Sequence, residues 1–202
     1  SEMSCDAMRT YFQRRYSADN TVVAFAGRLD FDRAVAQIQD LCGHWSATAA
    51  VREPSPTDVG AGAFTLREKN VNRAYLLGLS PAPALTDERR YAAMLLARAL
   101  GGPDNSRLHW ALIEPGLAEE ATCEYMPHDG HGEFFLYASG DPDRAGEIWA
   151  RLLEEVDRIA ESVSEHDLAR LRALAATAVT LGGENPADQM QRIGAQWTLL
   201  GA

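Results

Sequence analysis

The sequence predicts an α+β fold of two layers, a mixed or antiparallel sheet with helices packed on one of its faces. Three observations lead there. Of the 202 residues, 46% are hydrophobic and 24% charged, a balance that supports one sizeable core or two small closely packed units. The apolar β-runs come singly or as one hairpin with helical segments between them, which suits antiparallel or mixed pairing better than a doubly wound parallel sheet. The helical segments carry apolar residues at spacings of three and four, so each offers one face to a sheet.

Residues 6–16 place Met8, Tyr11, Phe12 and Arg15 at helical spacing and open the chain with an amphipathic helix. Asp19-Asn20 then turns the chain into a short apolar β-run, 21–26, closed by Gly27. Asp30 stands at an N-cap before Phe31, Ala34, Val35, Ile38 and Leu41, a helix that Gly43 ends. Residues 1–46 thus read as a helix–strand–helix unit. Residues 47–63, with Pro54, Pro56, Gly60 and Gly62, read as a linker or long loop. The main α/β body, 64–202, begins with strands at 64–68 and 72–79, the second placing Tyr75, Leu77 and Leu79 on one face.

Pro81 and Pro83 break that strand, and Thr86 caps a helix from Asp87 to Leu100 that Gly101-Gly102 stops. A shorter helix over 105–113 ends at Pro115-Gly116. Runs at 121–125 and 133–139 form a hairpin around the polar tip 127–132. Pro142 opens a long helix through Ile148, Trp149, Leu152, Leu153, Val156 and Ile159. Ser164 and Asp167 make a capping-box start for the next helix, Gly182-Gly183 interrupt it, and Pro186 begins a last helical stretch.

Asp and Glu number 29 against 19 Lys and Arg, a net charge of −10. With no excess of cations to displace counterions, a nucleic-acid partner is set aside, and Arg14-Arg15 is too short a basic cluster to reverse that. A membrane span is set aside too, because the longest apolar stretch, 91–100, is short and interrupted by Arg98. The opening residues Ser1–Ser4 lack the basic region and apolar run of a secretory leader, and nothing in the sequence specifies a compartment. Cys5, Cys42 and Cys123 are odd in number and widely spaced, so neither a disulfide framework nor a thiolate zinc site is expected. Cys42 and Cys123 read as small buried hydrophobes.

No catalytic, cofactor-binding or metal-binding residue is assigned. Zinc hydrolysis needs two histidines on one helix face with a carboxylate base, as in HExxH or its inverse HxxEH. His44, His109, His128, His131 and His166 fall in neither pattern. His128 and His131, with Glu133 beyond them and Cys123 and Glu124 on the preceding strand, form the one histidine cluster. At a hairpin tip with Gly130 between them, polar turn residues are expected without any metal. Gly101–Ser106 lacks the lysine of a phosphate loop and follows a helix instead of a strand, so it reads as helix termination. There is no G-x-S-x-G elbow, and Glu119-Glu120 and Glu154-Glu155 read as solvated.

Several passages nevertheless line up, in order, with one family. Tyr11-Phe-Gln-Arg-Arg-Tyr16-Ser-Ala-Asp-Asn20, the apolar run Val22–Ala26 with Gly27-Arg-Leu-Asp30, and the helix ending Cys42-Gly43-His44-Trp45 resemble the passage that follows the zinc domain in insulinase/pitrilysin-family peptidases. Leu100-Gly-Gly-Pro-Asp-Asn-Ser106-Arg107-Leu108 is similar to that family's L-G-G-x-x-S-S-R-L, and Pro115–Ala118 to its R-G-L-A-Y. The resemblance covers almost the whole chain. It implies a mixed sheet with helices packed on it, repeated so that two halves close around a peptide, with zinc held by HxxEH and a downstream glutamate in one domain. It also implies that this chain is a non-zinc piece of a longer protein. The zinc-bearing domain then lies in cis or in a partner subunit, as a homo- or heterodimer, and a peptide substrate meets both.

In the family's catalytic-half domains an arginine and a tyrosine beside the G-L-A stretch assist the substrate carbonyl. Ile113 and Glu119 stand at those positions here, and neither an apolar side chain nor an ionised carboxylate donates to that oxygen. The leading expectation is a non-catalytic domain of a zinc metallopeptidase, forming chamber wall and substrate-contact surface, with this chain alone inactive. The alternative is a degenerate homologue with a structural or assembly role and no proteolysis. A third reading, an independent metalloenzyme built on His128 and His131, requires zinc in the purified chain.

Overall fold

Caps and chain breakers set most of the element boundaries in the computed structural model, which describes residues 3–50 and 60–201. The part of the expected linker that holds Pro54 and Pro56 lies outside the described residues. In chain order come helices α1 (Cys5–Arg15) and α2 (Phe31–Cys42), strand β1 (Ala74–Ala82), helix α3 (Arg90–Gly101), strands β2 (Glu120–Pro127) and β3 (Gly132–Gly140), and helices α4 (Ala145–Ser162), α5 (Glu165–Glu184) and α6 (Pro186–Leu200). The class is α+β, with a three-stranded antiparallel sheet in the order β1-β3-β2. Two compact units are distinguished, residues 1–55 with 178–202, and residues 56–177.

In the first unit the helices begin as the local chemistry dictates. Ala7 N–H donates to Ser4 Oγ at 3.2 Å, and Arg33 N–H to Asp30 Oδ1 at 3.1 Å, each satisfying an N–H that the helix itself leaves unpaired. Gly43 closes α2, where a Cβ would stand 2.4 Å from the Gln39 carbonyl oxygen. The turn after α1 is held by polar atoms. Thr48 N–H donates to Ser17 Oγ at 2.7 Å and Ala49 N–H to Asp19 Oδ2 at 3.1 Å, while Ser17 N–H donates to Asn20 Oδ1 at 3.0 Å.

The strand expected at 21–26 is absent. Thr21 is extended, but no described segment lines up beside the run to complete a ladder, and a strand exists only through its neighbour's N–H and C=O groups. The strand expected at 64–68 is absent for the same reason.

The second unit holds the core. Leu108, Leu112, Ile148 and Leu152 are completely buried, packed with Leu100, Leu117, Leu136 and Ala138 where α3, α4 and the turn after α3 meet one face of the sheet. Each such side chain contributes about 1.5–3 kcal/mol by leaving water. The layers approach to backbone contact at Gly101, where a Cβ would lie 2.1 Å from the Cys123 nitrogen. Helix α3 begins at Arg90 and not at Asp87, and Thr86 does not cap it. Arg89 donates its backbone N–H (2.8 Å) and its guanidinium to the Asp87 carboxylate, which organises a separate turn ahead of the helix. That hydrogen-bonded guanidinium depresses the Asp87 pKa to about 2.

Toward the C-terminus, Asp141 and Pro142 start a short 3-10 turn that leads into α4. Ser164 and Asp167 form the expected reciprocal box, with Asp167 N–H to Ser164 Oγ and Ser164 N–H to Asp167 Oδ2, both 3.1 Å. Gly182 and Gly183 do not interrupt α5. Glycine weakens a helix but keeps its N–H, so the helix continues to Glu184 and breaks at Asn185, which the following proline holds extended.

Candidate functional site

Antiparallel register decides which side chains share a face of the sheet. Leu76, Ala138 and Ala121 stand opposite one another on the helix-covered face, as do Gly78, Leu136 and Cys123. The alternating set lies on the other face: Tyr75, Leu77 and Leu79 from β1, Phe135 and Tyr137 from β3, Glu124 and Met126 from β2. This face is open within its unit, with Tyr75, Leu77 and Leu79 exposed by 56%, 58% and 66%. Glu120 and Glu133 join Glu124 there, so an apolar and aromatic stripe has an acidic border. β1 is an edge strand, and its outer N–H and C=O groups have no neighbour among the described residues. An extended chain could pair with such an edge while its side chains lie on the face.

The turn that leads into β2 packs into the core on the helix-covered side of the sheet. A π-helical turn, His109–Ile113, ends with Glu114 N–H donating to His109 O at 2.9 Å. Gly116 then takes a left-handed φ of 67°, and the N–H groups of Leu117 and Ala118 both reach the Leu112 carbonyl at 2.9 Å. Ile113 packs against the buried core. Glu119 is anchored by its N–H to Ser139 O at 2.8 Å, and its carboxylate forms an ion pair with Arg73, just ahead of β1. Sequence reasoning missed this pair, since nothing in the local pattern relates positions 46 residues apart.

The glycine-containing loop after α3 is bound to the α4–α5 corner. Arg107 donates to the Ser162 carbonyl and lies 3.2 Å from Asp167 Oδ2. Trp110 Nε1 donates to Asn105 Oδ1 at 2.6 Å, and Arg170 to Asn105 O at 3.3 Å. Hydrogen bonds from the Ser164 backbone and hydroxyl, with Arg107 nearby, hold the Asp167 pKa below the usual carboxylate value. The loop therefore acts as a structural staple.

The histidine cluster is a stacked pair with one glutamate beside it. The His128 and His131 rings stack with centroids 4.9 Å apart, and His128 Nε2 lies 3.8 Å from Glu133 Oε1. Among the described residues no group of three or more His, Cys, Asp or Glu is placed to hold a metal ion. The tip is instead tied by backbone, His128 N–H to His131 O at 2.8 Å and Leu85 N–H to His128 O at 3.1 Å. Burial pushes the Cys123 thiol pKa up to about 12, which disfavours the thiolate. No helix among the described residues is long and apolar enough to cross a membrane.

Comparisons with known proteins bear on this arrangement. A family described as "Peptidase M16 inactive domain" matches residues 2–174. The chain is 28% identical over 204 residues to an uncharacterized zinc protease of Streptomyces coelicolor, covering 95% of this chain and 44% of that protein. It is 27% identical over 190 residues to an uncharacterized zinc protease of Rickettsia bellii, covering 93% and 46%. The chain thus spans somewhat under half the length of these relatives. Among solved structures, a protease from Helicobacter pylori matches with a TM-score of 0.87 at 14% identity, over 98% of this chain and 50% of that one. A peptidase M16 inactive domain from Pseudomonas fluorescens matches with a TM-score of 0.72 at 15% identity, over 98% and 48%. At such identities these two show the fold alone.

Proposed function

The chain belongs to the peptidase M16 (insulinase/pitrilysin) family as its inactive domain, and from that premise we propose that its open sheet face is a wall of a peptide-binding chamber. Hydrolysis belongs, in this reading, to a separate zinc-bearing domain of the parent protein, and relatives described as zinc proteases support it. The observation that carries the proposal is the open apolar face of Tyr75, Leu77 and Leu79 beside the free edge of β1. An extended peptide gains main-chain hydrogen bonds from the edge, and its alternate side chains lie beside the row of Tyr75, Leu77 and Leu79. The wall binds and orients. It does not polarise the scissile carbonyl, because Ile113 has no donor and the Glu119 carboxylate is an acceptor already paired with Arg73. Zinc, held by the neighbouring domain, would supply the activated water.

The test uses the chain and its parent side by side. The chain alone is expected to hydrolyse no peptide, with or without added zinc, whereas the parent turns peptide over. In the parent, Leu77→Asp with Leu79→Asp is expected to raise KM about tenfold and leave kcat largely unchanged, the signature of lost uniform binding. Chelator-sensitive turnover by the chain alone, abolished by a substitution within it, would overturn the proposal. A parent that lacks an intact HxxEH and hydrolyses nothing would favour the structural homologue instead.

A further inference from the structure

The α4–α5 corner holds a cavity of about 70 Å³ between the loop after α3 and the first turns of α5. Irregular backbone makes the room. Asn105 takes a left-handed φ of 53°, and the π-helical turn beyond it sets Trp110 against the loop, where the indole donates to Asn105 Oδ1. One water needs roughly 10–15 Å³ of such space, and an apolar cavity of roughly 150 Å³ takes benzene. By that scale this one suits a ligand of about four or five heavy atoms.

Its polar lining is unevenly satisfied. Arg107 is spent within the corner, on the Ser162 carbonyl and on Asp167. Asp167 in turn accepts from the Ser164 N–H and hydroxyl. Arg170 differs. Its Nη2 reaches the Asn105 carbonyl at 3.3 Å, but its Nε is buried and has no hydrogen-bond partner among the described residues. A buried donor on a charged group is costly to leave unpaired, so this one calls for an acceptor.

Charge and shape narrow the acceptor. Two guanidiniums and one carboxylate line the cavity, which leaves it one positive charge in a chain of net charge −10. A monoanion balances that charge, whereas a dianion would leave the site negative beside Asp167. The planar guanidinium matches a planar carboxylate in geometry as well as sign. Ala99, Val163 and the Trp110 ring give the cavity an apolar side for a short aliphatic stem.

We propose that this cavity binds a small monocarboxylate, with Arg170 Nε donating to a carboxylate oxygen and the stem lying against Trp110. Such a group arrives as a free short-chain acid or as the carboxyl end of a peptide. The site is separate from the open sheet face and does not depend on the peptidase reading.

Isothermal titration of the parent protein with propionate tests this, with propionamide and inorganic phosphate as controls. Propionate is expected to bind one to one with a Kd of about 1 mM or tighter. Propionamide and phosphate are expected to bind at least about tenfold more weakly. Arg170→Lys keeps the charge, removes the Nε–H, and should weaken propionate by a similar factor. Ala99→Val fills the cavity, leaves every polar group in place, and should abolish binding. The propionamide comparison needs no variant, so a substitution that fails to fold leaves the test standing. No propionate binding by the parent, equal binding of propionamide, or binding that survives both substitutions overturns the proposal. Acetyl-Gly-Gly with a free or an amidated carboxyl end separates the sources. A free-ended peptide that binds more tightly than propionate assigns the site to peptide ends, and one that binds more weakly assigns it to free acids.

Discussion

The two compact units solve the same problem in opposite ways. Every buried apolar residue among those described lies between Ala93 and Leu171, in the second unit, whereas the buried residue of the first is a serine, Ser17. The second unit closes a core of leucine, isoleucine and alanine under one sheet face. The first is joined by hydrogen bonds from Ser17, Asp19 and Asn20 and leaves Phe12, Phe31, Leu41 and Trp45 at least half exposed. Both units have ordinary apolar content, so the difference lies in whether the described residues of each unit bring matching apolar surfaces together. Where the matching surfaces lie within the unit, burial supplies the stability.

The strongest test of that contrast compares truncations in the two units. Leu112→Ala or Leu152→Ala is expected to cost about 2–5 kcal/mol in urea unfolding, because each removes a completely buried side chain. Phe31→Ala, at a side chain 71% exposed, is expected to change stability by no more than about 0.5 kcal/mol. Equal losses would erase the distinction.

Glycines sharpen it at the next level. Gly101→Ala forces a methyl against the Cys123 backbone and is expected to cost about 1–3 kcal/mol. Gly182→Ala meets nothing within 4 Å inside a continuous helix and is expected to stabilise by about 0.5–1 kcal/mol. A destabilised Gly182→Ala protein would show that α5 breaks there after all.

The staple at the α4–α5 corner should give a smaller, pH-dependent effect. The Asp167 pKa is depressed in the folded chain, so its contribution is present above the ordinary carboxylate range and is lost as pH falls through the lowered folded value. Urea midpoints measured downward from neutral pH should therefore fall on the acid side, and Asp167→Asn should flatten that limb while lowering the neutral plateau. An unchanged acid limb in the variant would remove Asp167 from the account. Arg107→Ala, which frees both the Ser162 carbonyl and Asp167, should lower the plateau by about 1–3 kcal/mol.

Much of the fold was legible because its signals are local. Asp30, Gly43, Pro142 and the Ser164–Asp167 box act on atoms within a few residues, and each stands where the pattern puts it. Thr86 failed as a cap because Asp87 and Arg89 bond to each other first, a competition between adjacent polar groups that pattern reading does not rank. The strands at 21–26 and 64–68 failed for a different reason. Composition can mark a segment as fit for a sheet, but a strand also needs a neighbour's N–H and C=O groups, and none lines up beside these runs among the described residues. The alternation of Tyr75, Leu77 and Leu79 was legible as well, though an apolar face looks the same in sequence whether helices cover it or leave it open.

Sequence alone determined the α+β class, the helix boundaries set by caps and prolines, the lack of either zinc motif within the chain, and the family. These depend on residue order and short-range chemistry. Tertiary structure decided the β1-β3-β2 order, which sheet face stays open, the Arg73–Glu119 pair and the clasp of Arg107 on Asp167. Each of those depends on residues far apart in the chain meeting at distances of a few ångströms, and such meetings follow from packing the whole unit, not from the spacing of any one segment.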